Sequence, residues 1–573
     1  MGWFAGIHGV NPPLRKQLRN LCSNSSFSVE NENLFITAGG HSSTSFFQSE
    51  LEDSKGWVTC GIGIGRQQSA TSIFQHNDWE RILEEESTDP RNLSAMNGHF
   101  AVAKWNDDRL ELFTDQLGLR NIFIYEGNGY TLFSTRLDWI KKLISEVDID
   151  WEKFGSRWLA INQFSNDSFL HGVNRLSQGG YASITPNNNK ISNRRWTYAK
   201  KQTSAQEFED GLFHFTSLPL EQDRELSLGL SGGLDSRVLF ATLLKKPEAN
   251  WGLHTFAEEQ HPDLHTVQQL NTHFNRKHRI LEQSIPELPD LEHQLPEFVG
   301  QVLFTAAPSH LVTLQAYNDI RNETLSVVDG GFGEIARRRF MVSLLLKEKK
   351  AILEKNISRI MPHLFLHRAD IFTDEVHQHM LQGFEEELTH EIEAMPEAKD
   401  IGVENWLDLF TIRTRVPNGA GPEQSRSDAE LFNYMPFLQP ELIQQVLNLP
   451  IKQRKNAQLL RAIIKKNAPV LQQVNLVKGT TSYPYWLKDV PAALWMRLKQ
   501  KAGLSYESTL QVHFLNRLEP YVRDLHNSSS VRNYSPYDQK KITNLIRGFY
   551  DEENTKLAGE LNWWLAFEVF RRI

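Results

Sequence analysis

Cysteine is almost missing from this chain. Two residues, Cys22 and Cys60, in a length of 573 exclude a disulfide framework and a four-thiolate zinc site. So low a count suits a reducing cytoplasm. The 20 histidines show neither HExxH nor paired CxxC spacing, so no zinc centre is expected. Long apolar runs are lacking too, and no stretch approaches the length of a membrane span. The opening MGWFAGIHGV reaches Pro12 and Pro13 before a signal-peptide core could develop, with no cationic segment ahead of it. Gly2 superficially permits myristoylation, yet Gly6 stands where that motif wants Ser or Thr. A basic excess is likewise missing: 62 Lys and Arg against 70 Asp and Glu give a net charge of −8 and a pI near 6.2. No nucleic-acid partner is expected from that balance, and no membrane partner from the lack of a spanning run.

What is present is ordinary globular material, 40% hydrophobic and 23% charged, in a chain long enough for at least two large domains. Its centre is one loop, residues 231–237, reading SGGLDSR. Before it, Leu226, Leu228 and Leu230 alternate with Glu225, Ser227 and Gly229, a strand pattern; after it, residues 238–245 read as a helix. A strand, a glycine turn and a helix N-terminus favour an anion, because the first helical N–H groups lack internal partners and the helix dipole adds positive potential. Gly232 and Gly233 let main-chain amides approach phosphate oxygens, and Ser231 and Ser236 add hydroxyls. No lysine follows, so this is not the GxxxxGK[ST] loop of a P-loop nucleoside triphosphatase. An ordinary βα turn is the plainer alternative.

LSGGLDSR resembles the pyrophosphate-binding loop of ATP pyrophosphatases of the asparagine synthetase type. The resemblance implies a Rossmann-like parallel sheet with a helical C-terminal part, over residues 205–573. It also implies ATP and Mg2+ as cofactors and a small-molecule or peptide carboxylate that becomes an acyl-adenylate before an amine closes the amide. In that reading the loop residues Leu230, Ser231, Gly232, Gly233, Asp235 and Ser236 hold nucleotide, with Asp235 on magnesium. Residues 251–257 (WGLHTFA) read as the next strand and Asp263, Val267 and Leu270 lie on a following helix, giving the βαβα order of a parallel sheet. Leu230 and Phe256 border adenine by resemblance, or are sheet core. Residues 325–329 form a further strand that leads into Gly330-Gly331-Phe332-Gly333-Glu334-Ile335. The related motif, SGEGADELFGG, carries a catalytic glutamate and a magnesium aspartate where this chain has Gly330 and Gly333. Asp329 and Glu334 are the remaining carboxylates, either catalytic or merely capping a loop and pairing with one of Arg337, Arg338 and Arg339. Gly330 and Gly331 complete the expected nucleotide set.

Residues 426–430 and 435–442 are similar to a stretch that packs in the family. Residues 455–461 (KNAQLLR) and 477–482 (VKGTTS) resemble its lysine-bearing regions. Lys478 and, more distantly, Lys455 are thereby the candidate catalytic cations, placed to stabilise charge on departing pyrophosphate.

The first part is strand-rich, with candidates at 3–7, 34–38, 57–65, 99–105, 110–114, 122–125 and 131–134, separated by turns such as Asn106-Asp107-Asp108. Residues 97–105, 115–120 and 133–135 resemble strand pairs of class II glutamine amidotransferase domains, an αββα sandwich, over residues 1–195. That family begins Met-Cys-Gly-Ile and attacks glutamine with the cysteine; here the start is Met1-Gly2-Trp3-Phe4. Glycine has no nucleophile to offer, so glutamine hydrolysis is not expected. The amine is then ammonia or the substrate's own, as in the lasso-peptide cyclases and β-lactam synthetases. A catalytically degenerate nucleotide-binding regulator and an ammonia-dependent asparagine synthetase are the rival functions. A homodimer or a partner maturation protein is compatible with either. Residues 185–204 read as the domain boundary, and the tail 561–573 (LNWWLAFEVFRRI) as a packing helix.

Overall fold

The computed structural model describes residues 2–573 apart from 49–53, 68–69, 85–89, 94, 107–108, 187, 223, 257, 259, 322–323 and 507. Met1, Asp107, Asp108 and Ala257, each part of an expectation above, lie outside the described residues. The chain is a mixed α/β protein: antiparallel sheets come first, then a parallel sheet surrounded by helices.

Residues up to 192 supply β1 (Trp3–Gly9), β2 (Phe27–Glu30), β3 (Leu34–Gly39), β4 (Ser45–Phe47), β5 (Lys55–Gln67), β6 (Ala70–Ile73), β7 (Asn97–Asn106), β8 (Arg109–Thr114), β9 (Ile122–Gly127), β10 (Tyr130–Ser134), β11 (Val173–Leu176), β12 (Tyr181–Thr185) and β13 (Asn188–Ser192). They form two sheets, ordered β11-β9-β10-β1-β3-β2 and β13-β12-β8-β7-β5-β4. Side-chain alternation fixes which face meets which layer. In β1, Phe4 joins the core between the sheets while Ala5 and Ile7 face helices; in β7, Ala101 and Ala103 point between the sheets while Phe100 and Val102 point outward onto Trp79.

The helical layer on the first sheet is shared by both ends of the chain. Phe154 and Trp158 from the helix Trp151–Leu159 pack with Phe298 of Leu288–Val302 and with Trp564 and Phe567 of Ala558–Arg572 in one cluster. The tail is therefore core material. No helix among the described residues is long and apolar enough to cross a membrane.

The expected boundary is corrected in its first half. Asn188 to Ser192 pair with β12 as an edge strand, and the next helix, Ala205–Ser217, opens with a capping box between Ser204 and Glu207. The linker proper is therefore shorter than its composition suggests.

The parallel sheet contains β14 (Glu225–Gly229), β15 (Trp251–Phe256), β16 (His278–Leu281), β17 (Leu325–Val328) and β18 (Phe432–Tyr434), ordered β16-β15-β14-β17-β18. From β14 the chain adds strands first on one side and then, after β16, on the other. The order thus reverses between β14 and β17, and an open α/β sheet offers its ligand crevice beyond the carboxyl ends at such a point. The helices used below are α1 (Leu234–Leu243), α2 (Pro262–Asn271), α3 (Val403–Arg415) and α4 (Gly421–Glu430), and a small hairpin joins β19 (Leu476–Lys478) to β20 (Thr481–Tyr483).

The two halves lock through a buried charge cluster. Asp428 of α4 accepts from Arg120 and lies 2.9 Å from His99 Nε2, and Gln424 donates to its other oxygen at 3.0 Å. Asp428 belongs to the stretch 426–430 expected to pack, and it packs at this junction.

Candidate active site

The loop after β14 and the loop after β17 meet at the reversal point. Leu230 donates its N–H to His254 O at 3.0 Å, which keeps the chain in register with β15 until the turn at Gly232 and Gly233 releases it into α1. Gly232 is needed for a close approach: a Cβ there would lie 2.4 Å from Val477 Cγ2. Because that space is left open, Val477 N–H reaches Gly232 O at 2.9 Å and β19 lies directly on the loop, which brings Lys478 to it. Arg237, fully buried on α1, secures the approach to β19 by donating to the carbonyls of Leu471, Val474 and Asn475 at 3.0, 2.7 and 2.6 Å.

The loop amides are not bare. Gly232 N–H donates to Asp263 Oδ1 at 2.7 Å, Gly233 N–H to Ser231 Oγ at 3.2 Å, and Ser231 N–H to Ser236 Oγ at 3.2 Å. Side chains thus occupy the donors that sequence reasoning leaves for phosphate. Gly233 caps α1 without a side-chain hydrogen bond, so the first-turn N–H groups of the helix remain the anion-seeking ones.

Beyond the loop lies a cavity of about 560 Å³. Leu230, Ser231, Gly233, Asp235, Ser236 and Phe256 line it from the first side, and Asp329, Gly330, Gly331 and Glu334 from the second. Lys478 lines it from β19, and Arg337, Arg339, Arg461 and Lys488 add further cations. Gly232 contributes the turn and is set back from the lining.

Lys455 is corrected. It stays outside this wall, half-exposed, with Nζ 3.1 Å from Glu404 Oε1. The next two residues, Asn456 and Ala457, both take φ of +56° and turn themselves toward the cavity in its place.

The glycine-rich second loop leans on α1. A Cβ at Gly330 would sit 2.7 Å from Ser236 N, and one at Gly333 would sit 2.5 Å from Asp235 Cγ. The space where the related motif carries carboxylates is therefore filled by the first loop's own helix. Asp329 accepts Gly331 N–H at 2.7 Å. Burial, reinforced by the nearby Glu423 and opposed by that hydrogen bond, pushes its carboxyl up to about 6.

Magnesium on Asp235 does not fit this arrangement. Both carboxylate oxygens accept from Arg337, at 2.7 Å from Nε and 2.6 Å from Nη2. Among the described residues no group of three or more His, Cys, Asp or Glu could hold a metal ion. Desolvation opposes charge on Arg337, but Asp235 more than restores it and holds the guanidinium above its ordinary value.

Sequence reasoning missed two further groups. His254 is fully buried at the cavity wall, its Nδ1 2.8 Å from Ser227 Oγ and its Nε2 without a protein partner. Burial pushes it down to about 3, so the ring is neutral. Arg426, expected only to pack, lines a second cavity of about 370 Å³ together with Arg415 and Glu423. Its guanidinium lies over the Phe298 ring, its Nε and Nη1 have no hydrogen-bond partner, and burial lowers its pKa. The two cavities share Asp235, Tyr317, Asp329, Gly330, Gly331 and Glu334 as their common wall.

Residues 208–333 match the family model of asparagine synthase. The asparagine synthase region so delimited contains the β14 loop, α1, β15, α2 and β17, and it ends inside the second loop. No curated protein matches the chain. Among solved structures, the chain is similar to the allosteric regulatory enzyme of purine biosynthesis, at 11% identity and a TM-score of 0.21, over 40% of this chain and 54% of that one. It is also similar to glutamine phosphoribosylpyrophosphate amidotransferase from B. subtilis complexed with ADP and GMP, at 9% identity and a TM-score of 0.22, over 50% of this chain and 82% of that one. This chain thus spans about half the length of the first.

Proposed function

We propose that the chain is an ATP-dependent, AMP-forming amide ligase of the asparagine synthetase type. The observation that carries the reading is the pair of adjoining cavities at the strand-order reversal of a parallel sheet, inside and beside the asparagine synthase region. The triphosphate of ATP lies along the first turn of α1, facing Arg337 and Lys478, and adenine lies between Leu230 and Phe256. The second cavity receives the carboxylate substrate, with Arg415 and Arg426 as its cations. A carboxylate oxygen attacks the α-phosphorus and pyrophosphate leaves, its growing charge stabilised by Lys478. A nitrogen nucleophile then attacks the acyl carbon and AMP leaves. Asp329, poised between carboxylic acid and carboxylate by burial, lies on the wall common to both cavities and accepts the amine proton.

Ammonia or an amine of the substrate itself is the nitrogen source. Gly2 offers no side chain, and a Cβ there would lie 2.0 Å from Thr44 O. Cys60 is wholly buried beside it with its thiol pushed up to about 11, and Cys22 is buried with its thiol pushed up to about 12, so neither presents a thiolate. An amine tethered to the activated carboxylate, as in macrolactam closure, gains a high effective concentration without a second active site.

A nucleotide-binding regulator without turnover is the second reading, favoured by the side chains seated on the loop amides and by the glycines at 330 and 333. ATP–pyrophosphate exchange with candidate carboxylates separates the two. Carboxylate-dependent exchange that Lys478→Ala abolishes, with ATP still bound, supports the ligase; ATP binding with no exchange and no AMP supports the regulator.

A further inference from the structure

Arg337 lines the first cavity, paired with Asp235 in the first turn of α1. It takes both oxygens of Asp235 through Nε and Nη2 and remains partly exposed at the cavity, its side chain 21% accessible against 13% for Asp235. The other carboxylates of the cavity are engaged as well. Asp263 accepts from Gly232 N–H, Asp329 accepts from Gly331 N–H, and Glu334 lies 3.6 Å from Arg337. A magnesium ion on a nucleotide needs one or two protein carboxylates with oxygens to spare beside the phosphate oxygens, and here each of these carboxylates already faces a donor or a guanidinium. No side chain at 333 could add one, since Asp235 fills that space.

We infer that Arg337, oriented by Asp235, supplies as a fixed side chain the positive charge that a metal ion would bring, so that the cavity takes ATP without a protein-ligated divalent cation. The inference deepens the nucleotide reading above and rests on it. A guanidinium suits this role because it is always charged, planar and able to present donors to a phosphate while another edge holds a carboxylate. Asp235 sits on the first turn of α1, so its pairing fixes the cation beside the helix N-terminus that receives the anion. In this arrangement Asp235 is a positioning residue for Arg337, and Arg337 touches the nucleotide.

The test is calorimetric titration of the full chain with ATP, once with saturating MgCl2 and once with excess EDTA. The wild-type dissociation constant changes less than about tenfold between the two. Arg337→Ala loses at least about thirtyfold in EDTA and regains affinity with Mg2+, because the freed Asp235 oxygens then accept the ion. Arg337→Lys, which keeps the charge without the fork, falls between them in EDTA and keeps the inference testable should the alanine variant fail to fold. A merely structural ion pair would not exchange metal independence for metal dependence in this way. Wild-type binding that needs Mg2+, or an Arg337→Ala variant that binds in EDTA as well as wild type, overturns the inference while leaving the nucleotide site intact. Absence of ATP binding under both conditions overturns the nucleotide reading itself, and this inference with it.

Discussion

Asp263 Oδ1 accepts the N–H of Gly232 at 2.7 Å. A carboxylate from the first turn of α2 thereby holds a main-chain donor of the phosphate loop, and the nucleotide must compete with it. Asp263→Asn removes the negative charge, and ATP affinity should rise about tenfold at neutral pH, the scale of one hydrogen bond to a charged group. Burial raises the Asp263 carboxyl above its ordinary value, so the wild type loses this charge sooner than a solvated carboxylate would. The gap between variant and wild type should therefore narrow as pH falls. Parallel titrations of the two proteins across pH measure it.

Asp329 should make both stability and turnover depend on pH. Its carboxyl is raised from 3.8 to about 6 by burial, so the folded state binds this proton more tightly than the unfolded chain does. Its contribution to stability is fully present below 3.8 and is lost as pH rises through about 6. Asp329→Asn should flatten that slope in chemical denaturation, gain stability relative to wild type above the window, and lose amide formation at every pH.

Restoring carboxylates to the second loop should fail. Gly333→Asp drives a Cβ to within 2.5 Å of Asp235 Cγ, and Gly330→Glu drives one to 2.7 Å from Ser236 N, a backbone atom that cannot step aside cheaply. Each substitution should cost about 1–3 kcal/mol of stability and weaken ATP binding. A gain of exchange activity in either variant would mean that the two loops move apart more readily than their contact suggests.

The junction between the halves should depend on Asp428. Arg120 and His99 both converge on its carboxylate, and all three are buried. Asp428→Ala leaves Arg120 without its partner and should cost about 3–5 kcal/mol, read as a lowered denaturation midpoint. Despite desolvation, Arg120 and His99 hold the Asp428 carboxyl below its ordinary value. Its contribution is therefore present above the usual carboxylate range and is lost as pH falls through the depressed value.

Local chemistry was legible and long-range contact was not. The turn from β14 into α1 could be read because a glycine pair stands between an alternating strand run and a helical run, and Lys478 could be placed near it from the order of motifs alone. β1, β3, β7, β8 and β10 can be read as largely apolar runs of five or more residues set off by turn signals, whereas β2, β4 and β6 are strands of three or four residues at sheet margins that carry too little pattern to read. Nothing near residue 455 announces that two positive-φ residues turn Lys455 away from the cavity. The Asp263 to Gly232 hydrogen bond and the Arg337 to Asp235 pair span 31 and 102 residues of chain, respectively. Composition and spacing are silent about such pairs, and they alter the site most: one occupies a loop amide and the other occupies both oxygens of the expected metal ligand.

The most direct test is a crystal structure of the full chain with AMPCPP. The account predicts the triphosphate along the first turn of α1, within hydrogen-bond distance of the Leu234 and Asp235 amides and of Arg337, with Asp263 withdrawn from Gly232. Crystals saturated with AMPCPP in which Asp263 still holds that amide and the nucleotide lies elsewhere, or nowhere, would contradict it.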